Sequence, residues 1–124
     1  MRMNHLDLHV PDVAATSDFF VQYFGLKLRE MRGVNGLAIL NDDAGFELVI
    51  SRPIEKLGSA DQVKLGARSY HIGFILPARD DVDQLHQRLK QSNVELGKLQ
   101  AMRGGWLFYC TAPGGVLVEV GWRP

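Results

Sequence analysis

The first clear pattern in the chain is strict alternation over Leu6-Asp7-Leu8-His9-Val10, the period-two signature of a strand with one face buried. It sends Leu6, Leu8 and Val10 to one side and His5, Asp7 and His9 to the other. Pro11 stops the strand, and Asp12 suits the N-cap of a helix that follows. Val13, Phe20 and Phe24 recur at helical spacing, Phe19 and Tyr23 widen the apolar stripe, and Gly25 stands where a left-handed residue would close the helix. Three short strands are predicted next, over Lys27 to Met31, Gly36 to Leu40 and Phe46 to Ile50. Turn-forming clusters at Gly33-Val34-Asn35 and from Asn41 to Gly45 part them. The order is strand, helix, strand, strand, strand.

The same order then repeats. Ser51 to Ser69 shows no clear period and reads as a linker, after which Tyr70 to Pro77 matches Asn4 to Pro11 at one offset, since 71 − 5 and 77 − 11 are both 66. Asp80 or Asp81 caps a second helix with Val82, Leu85 and Leu89 on its apolar face, and Asn93 closes it. Three strands follow at Val94 to Leu99, Trp106 to Thr111 and Val116 to Trp122. One copy alone would leave an apolar sheet face exposed, so a duplicated unit of this kind predicts two copies in one domain. The expected division is repeat one over about 1–51, a linker over about 52–68 and repeat two over about 69–124.

Composition narrows the function classes. A chain of 124 residues, 46% hydrophobic, is long enough to bury a core without disulfides. Its 14 basic and 14 acidic side chains cancel, which gives no general attraction to nucleic acid or an acidic membrane. No apolar run approaches the roughly 20 residues of a membrane span. Met1 to Leu6 lacks the apolar core of a secretion signal, and the single Cys110 cannot pair internally, so a cytoplasmic location is expected.

The candidate chemistry lies in four side chains, two in each half. His5 and His71 stand on the opening strands; Glu47 and Glu119 stand on the last strands, within Phe46-Glu47-Leu48-Val49 and Leu117-Val118-Glu119-Val120. Two imidazoles with one or two carboxylates make a mixed nitrogen and oxygen set suited to Zn²⁺, Ni²⁺, Mn²⁺, Fe²⁺ or Co²⁺. A carboxylate among aliphatic strand neighbours needs a cation or a strong donor. The plain alternative for each is a solvated strand residue or a hydrogen-bonded core histidine. His9 shares the predicted face of His5, Arg103 precedes a Gly-Gly turn, and Tyr109 alternates with Phe108. These three are candidates to touch a substrate.

The segments NHLDLHVPD, GFELVI, YHIGFIL and PGGVLVEV resemble the vicinal oxygen chelate superfamily over nearly the whole chain. That family includes glyoxalase I, fosfomycin- and bleomycin-resistance proteins and ring-cleaving dioxygenases. The resemblance implies an α+β fold: two tandem βαβββ repeats forming a partly open, cup-shaped mixed sheet with helices outside. It implies one divalent metal held by His5, His71, Glu119 and Glu47, which would bind adjacent oxygens of a small substrate and stabilise an oxyanion. Glu47 or Glu119 would act as general base in isomerase or lyase chemistry. A homodimer is implied too. The competing expectation is a metal-free resistance protein that sequesters a small molecule or antibiotic. The turn Ala112-Pro113-Gly114-Gly115 departs from the family's usual Asp-Pro-Asp-Gly.

Overall fold

The computed structural model describes residues 1–52 and 71–124. The chain divides into two compact units, Met1–Lys64 and Leu65–Pro124. All but Arg52 of the linker expected over 52–68 falls outside the described residues, as do Ser69 and Tyr70.

The first unit runs β1 (His5–His9), α1 (Val13–Phe24), β2 (Lys27–Arg32), β3 (Leu37–Asn41) and β4 (Glu47–Ser51). Its sheet has the order β1-β4-β3-β2, with β1 parallel to β4 and the other pairs antiparallel. Asp12 caps α1 as expected, its carboxylate accepting from the Ala15 amide at 2.9 Å. Gly25 closes the helix at φ 67°, a left-handed conformation that costs glycine nothing. Of the stripe read from the sequence, Val13, Phe19 and Phe20 are buried and Tyr23 and Phe24 half-buried; Val13 and Phe20 are fully enclosed together with Leu8, Val10, Leu40 and Ile50.

The second unit runs β5 (Ile72–Ile75), α2 (Arg79–Gln91), β6 (Gln100–Met102), β7 (Gly105–Ala112) and β8 (Val116–Trp122). Its order, β5-β8-β7-β6, repeats the first unit strand for strand, again with the outer pair β5 and β8 parallel. The chain is therefore α+β, with two βαβββ units that each lay one helix against an open four-stranded mixed sheet. Asn93 ends α2 region at φ 57°, as its place after the helix suggested. Among the described residues no helix is long and apolar enough to cross a membrane.

Two local expectations are corrected. The N-cap of α2 is Ala78, and Asp81 acts from three residues inside, accepting the Ala78 amide at 3.1 Å. The strand expected over Val94 to Leu99 is broken. Leu96 makes an isolated bridge to Cys110, and the regular ladder starts only when Gln100 meets Leu107. Four steps along this edge thus match three along β7, which is a bulge. Gly97 sits in the bulged stretch, its amide donating to the Tyr109 carbonyl at 2.7 Å.

Candidate functional site

Alternation along β7 and β8 decides which side chains reach the site. Phe108, Cys110, Val118 and Val120 are buried in the core, whereas Leu107, Tyr109, Leu117 and Glu119 belong to the opposite face of the sheet. Tyr109 and Glu119 are direct cross-strand partners. The Tyr109 hydroxyl donates to Glu119 Oε2 at 2.7 Å, and His71 Nε2 lies 3.3 Å from the same oxygen. The His71 ring meets Tyr109 edge-on, with centroids 5.5 Å apart. Arg123 Nη2 stands 4.0 Å from Glu119 Oε1. The Glu119 side chain is only 14% exposed, so these neighbours set its environment. The hydrogen bond to Glu119, aided by burial, holds the Tyr109 hydroxyl above the usual phenol range.

The spacing of His71 and Glu119 fits two ligands of one divalent cation. Two ligand atoms each about 2.1 Å from an ion lie roughly 3.0 to 3.4 Å apart, and His71 Nε2 and Glu119 Oε2 are 3.3 Å apart. An outer hydroxyl that fixes a ligating carboxylate, as Tyr109 fixes Glu119, is the usual companion of such a site.

In the first unit His5 and Glu47 are register partners, so they share the face that also carries Asp7, His9, Val49 and Ser51. His5 Nδ1 contacts Asn4 Oδ1 at 3.1 Å, and Asp7 accepts from the Ser51 hydroxyl at 2.6 Å. His9 is half-buried. Glu47 forms an ion pair with Arg29, a residue left without a register partner by a bulge in β2.

The two glutamates do not occupy duplicate positions. Glu119 stands opposite Gly73, and Gly73 is the duplicate of Asp7, whose own partner is Val49. Val49 therefore repeats Glu119, and Glu47 lies one pleat repeat earlier. A signal for this was present in the sequence: Glu47 is two residues past the turn glycine Gly45, while Glu119 is four past Gly115. Among the described residues no group of three or more His, Cys, Asp or Glu side chains is gathered at metal-holding distances. The structure brings His71 together with Glu119 at 3.3 Å and sets His5 opposite Glu47 by register.

Two cavities open on this face of the second unit. One, about 360 Å³, is lined by His71, Tyr109, Glu119, Arg103 and Arg123 among others. The other, about 500 Å³, is lined by Glu95, Lys98, Gln100, Thr111 and Leu117, with Tyr109 common to both. Arg123 was not singled out by sequence reasoning, and its place four residues after Glu119 was the only clue. His86, which reads as a surface residue from its polar helix neighbours, lies half-buried, contacts the Gly97 carbonyl at 3.0 Å and packs edge-on to Phe108. It thereby ties α2 to the bulged edge beside the larger cavity.

Cys110 is among the residues lining the larger cavity, but it is buried. Burial pushes its thiol up to about 12, so at pH 8 only about one molecule in ten thousand carries the thiolate. Iodoacetamide at pH 8 should leave the native chain unlabelled and modify it fully in guanidinium. Rapid labelling of the native chain would show that the thiol is accessible.

Residues 2–120 match the model of the Glyoxalase/Bleomycin resistance protein/Dioxygenase superfamily. A "possible glyoxalase" of Bacillus cereus is 32% identical, with 97% of each chain covered and a TM-score of 0.81. A lactoylglutathione lyase of Agrobacterium tumefaciens (20% identity, 98% of this chain and 92% of that one, TM-score 0.76) shares the fold. So does a fosfomycin resistance protein of Listeria monocytogenes (18% identity, 100% and 93%, TM-score 0.72). No curated protein matches the sequence. The chain belongs to the glyoxalase/bleomycin resistance/dioxygenase superfamily, also called the vicinal oxygen chelate superfamily.

Proposed function

We propose that the chain is a divalent-metal-dependent enzyme of glyoxalase type acting on a small molecule, with His5, His71 and Glu119 as metal ligands. The observation that carries this reading is the convergence of His71 Nε2 and the Tyr109 hydroxyl on one oxygen of a largely buried carboxylate. One ion of Zn, Ni, Mn, Fe or Co, when bound, supplies Lewis acidity toward two adjacent substrate oxygens. Tyr109 holds Glu119 in orientation through its hydroxyl. Glu47, held by Arg29, is a flanking carboxylate on the first unit's face and a candidate general base. A cytoplasmic homodimer completes the proposal.

A second reading has its own support. Glu119 already finds donors in Tyr109 and near His71, so it is satisfied without a cation, and it lines a cavity of about 360 Å³. On that reading the protein is a metal-free binder of a small molecule or antibiotic. Elemental analysis of the untagged chain, before and after incubation with Zn²⁺, Ni²⁺, Mn²⁺ and Fe²⁺, separates the two. About one ion per chain is expected. A chain that stays empty under all four conditions overturns the metal-enzyme reading and favours the binding protein.

A further inference from the structure

The cavity beside Glu119 carries a charge imbalance that metal ligation does not use. Arg103 and Arg123 line it, against Glu119 as the one acidic side chain among its lining residues. Arg123 has Glu119 Oε1 as its neighbour at 4.0 Å, the outer limit of an ion pair. Arg103 has no hydrogen-bond or ion-pair partner among the described residues.

The backbone at Arg103 is the second observation. Met102 and Gly105 pair across the β6–β7 hairpin, which leaves Arg103 and Gly104 as a two-residue turn with φ 51° and φ 78°. Positive φ at both central positions is the primed turn that favours Asn, Asp or Gly. An arginine held in the left-handed region is strained, and folding alone gives no reason for it. An outlier of this kind beside a cavity is a pointer to binding.

We propose that this cavity takes a substrate bearing an oxyanion group, carboxylate or phosphoryl, held by the guanidinium groups of Arg103 and Arg123. Their planar forks match either group through paired N–H donors. The proposal deepens the enzyme reading and rests on it for where the reacting oxygens lie. A cation on Glu119 would also take away the counter-charge that Arg123 now faces, and so strengthen the demand for an anion.

The test is an NMR titration of the full chain, metal-stripped and separately Zn²⁺-incubated, with lactate, methylphosphonate and neutral propane-1,2-diol. Wild type and the Arg103→Asn and Arg123→Gln variants are compared. At least one anion should bind the wild type more tightly than the diol, with affinity falling as salt rises. Arg103→Asn should weaken that anion about tenfold while raising Tm by about 2–4 °C, because asparagine suits the turn. Arg123→Gln should weaken it without the gain in Tm. The better of the two anions identifies the group. Equal anion affinity in wild type and Arg103→Asn overturns the proposal, as does preference for the diol or binding of neither anion. Metal content, measured on the same samples, is independent: anion binding without metal uptake would sink the enzyme reading and leave this inference standing.

Discussion

Glu119→Gln is expected to lower metal affinity by well over a hundredfold and to abolish any metal-dependent activity, while Glu47→Gln changes metal affinity by no more than a few-fold. The substitutions are the same chemically, so the difference rests on position. Glutamine at 119 keeps the volume and can still accept from Tyr109, but it offers a metal no anionic oxygen. Glu47 lies a pleat repeat away from the duplicate of Glu119 and is already paired with Arg29. Tyr109→Phe belongs between the two. It removes the hydroxyl that fixes Glu119 at 2.7 Å, and loss of such an outer partner costs about 10- to 100-fold in affinity. Competition with a chelating dye measures all three. If Glu47→Gln fell as far as Glu119→Gln, the register argument would fail and a four-ligand site would be indicated.

That contrast also marks where the sequence stopped being sufficient. The opening strand, the first helix and its caps are local events, decided by Leu6-Leu8-Val10 alternation, Asp12 and Gly25, and each appears where the pattern put it. The duplication was legible for the same reason, since a strand and helix of the same pattern recur 66 positions on. What failed depends on pairing across the sheet. Glu47 and Glu119 each stand on the last strand of a repeat, and only their different distances from the turn glycine separate them along the chain; equivalence in a sheet is set by the partner strand, and Asp7 meets Val49 where Gly73 meets Glu119. The sixth strand failed similarly: the bulge between the Leu96–Cys110 and Gln100–Leu107 pairings is a property of two strands, and Gly97 was its one local sign in Val94 to Leu99. The contacts of His86 were out of reach of its polar sequence neighbours, because the atoms it touches, Phe108 and the Gly97 carbonyl, are distant in sequence.

Phe108→Ala should be the most destabilising simple substitution near the site, and Phe20→Ala is its control in the first unit. Both rings are fully buried, so transfer from water alone predicts a similar loss for each. What differs is how well the surroundings can close over the void. Phe20 sits in an aromatic cluster, its ring 5.5 Å from Phe19 and 5.6 Å from Phe24, on a helix whose side chains can shift into the gap. Phe108 lies on β7, bonded to β8 along the length of both strands, with the His86 ring edge-on at 4.9 Å. Little there can move inward without breaking the ladder, so the cavity persists. Phe108→Ala should therefore cost near the top of the range for such truncations, about 5 kcal/mol, and Phe20→Ala nearer 3 kcal/mol. Against a total stability on the order of 5–15 kcal/mol, the first would lower the urea midpoint by roughly 2 M or more. Phe108→Leu, which refills most of the volume, should recover more than half of that loss. Because Tyr109 is the next residue along the same strand, Phe108→Ala should also weaken metal binding in proportion to unfolding and no further. A larger loss of metal at full folding would mean that Phe108 sets the position of the Tyr109–Glu119 pair as well as the stability of the sheet.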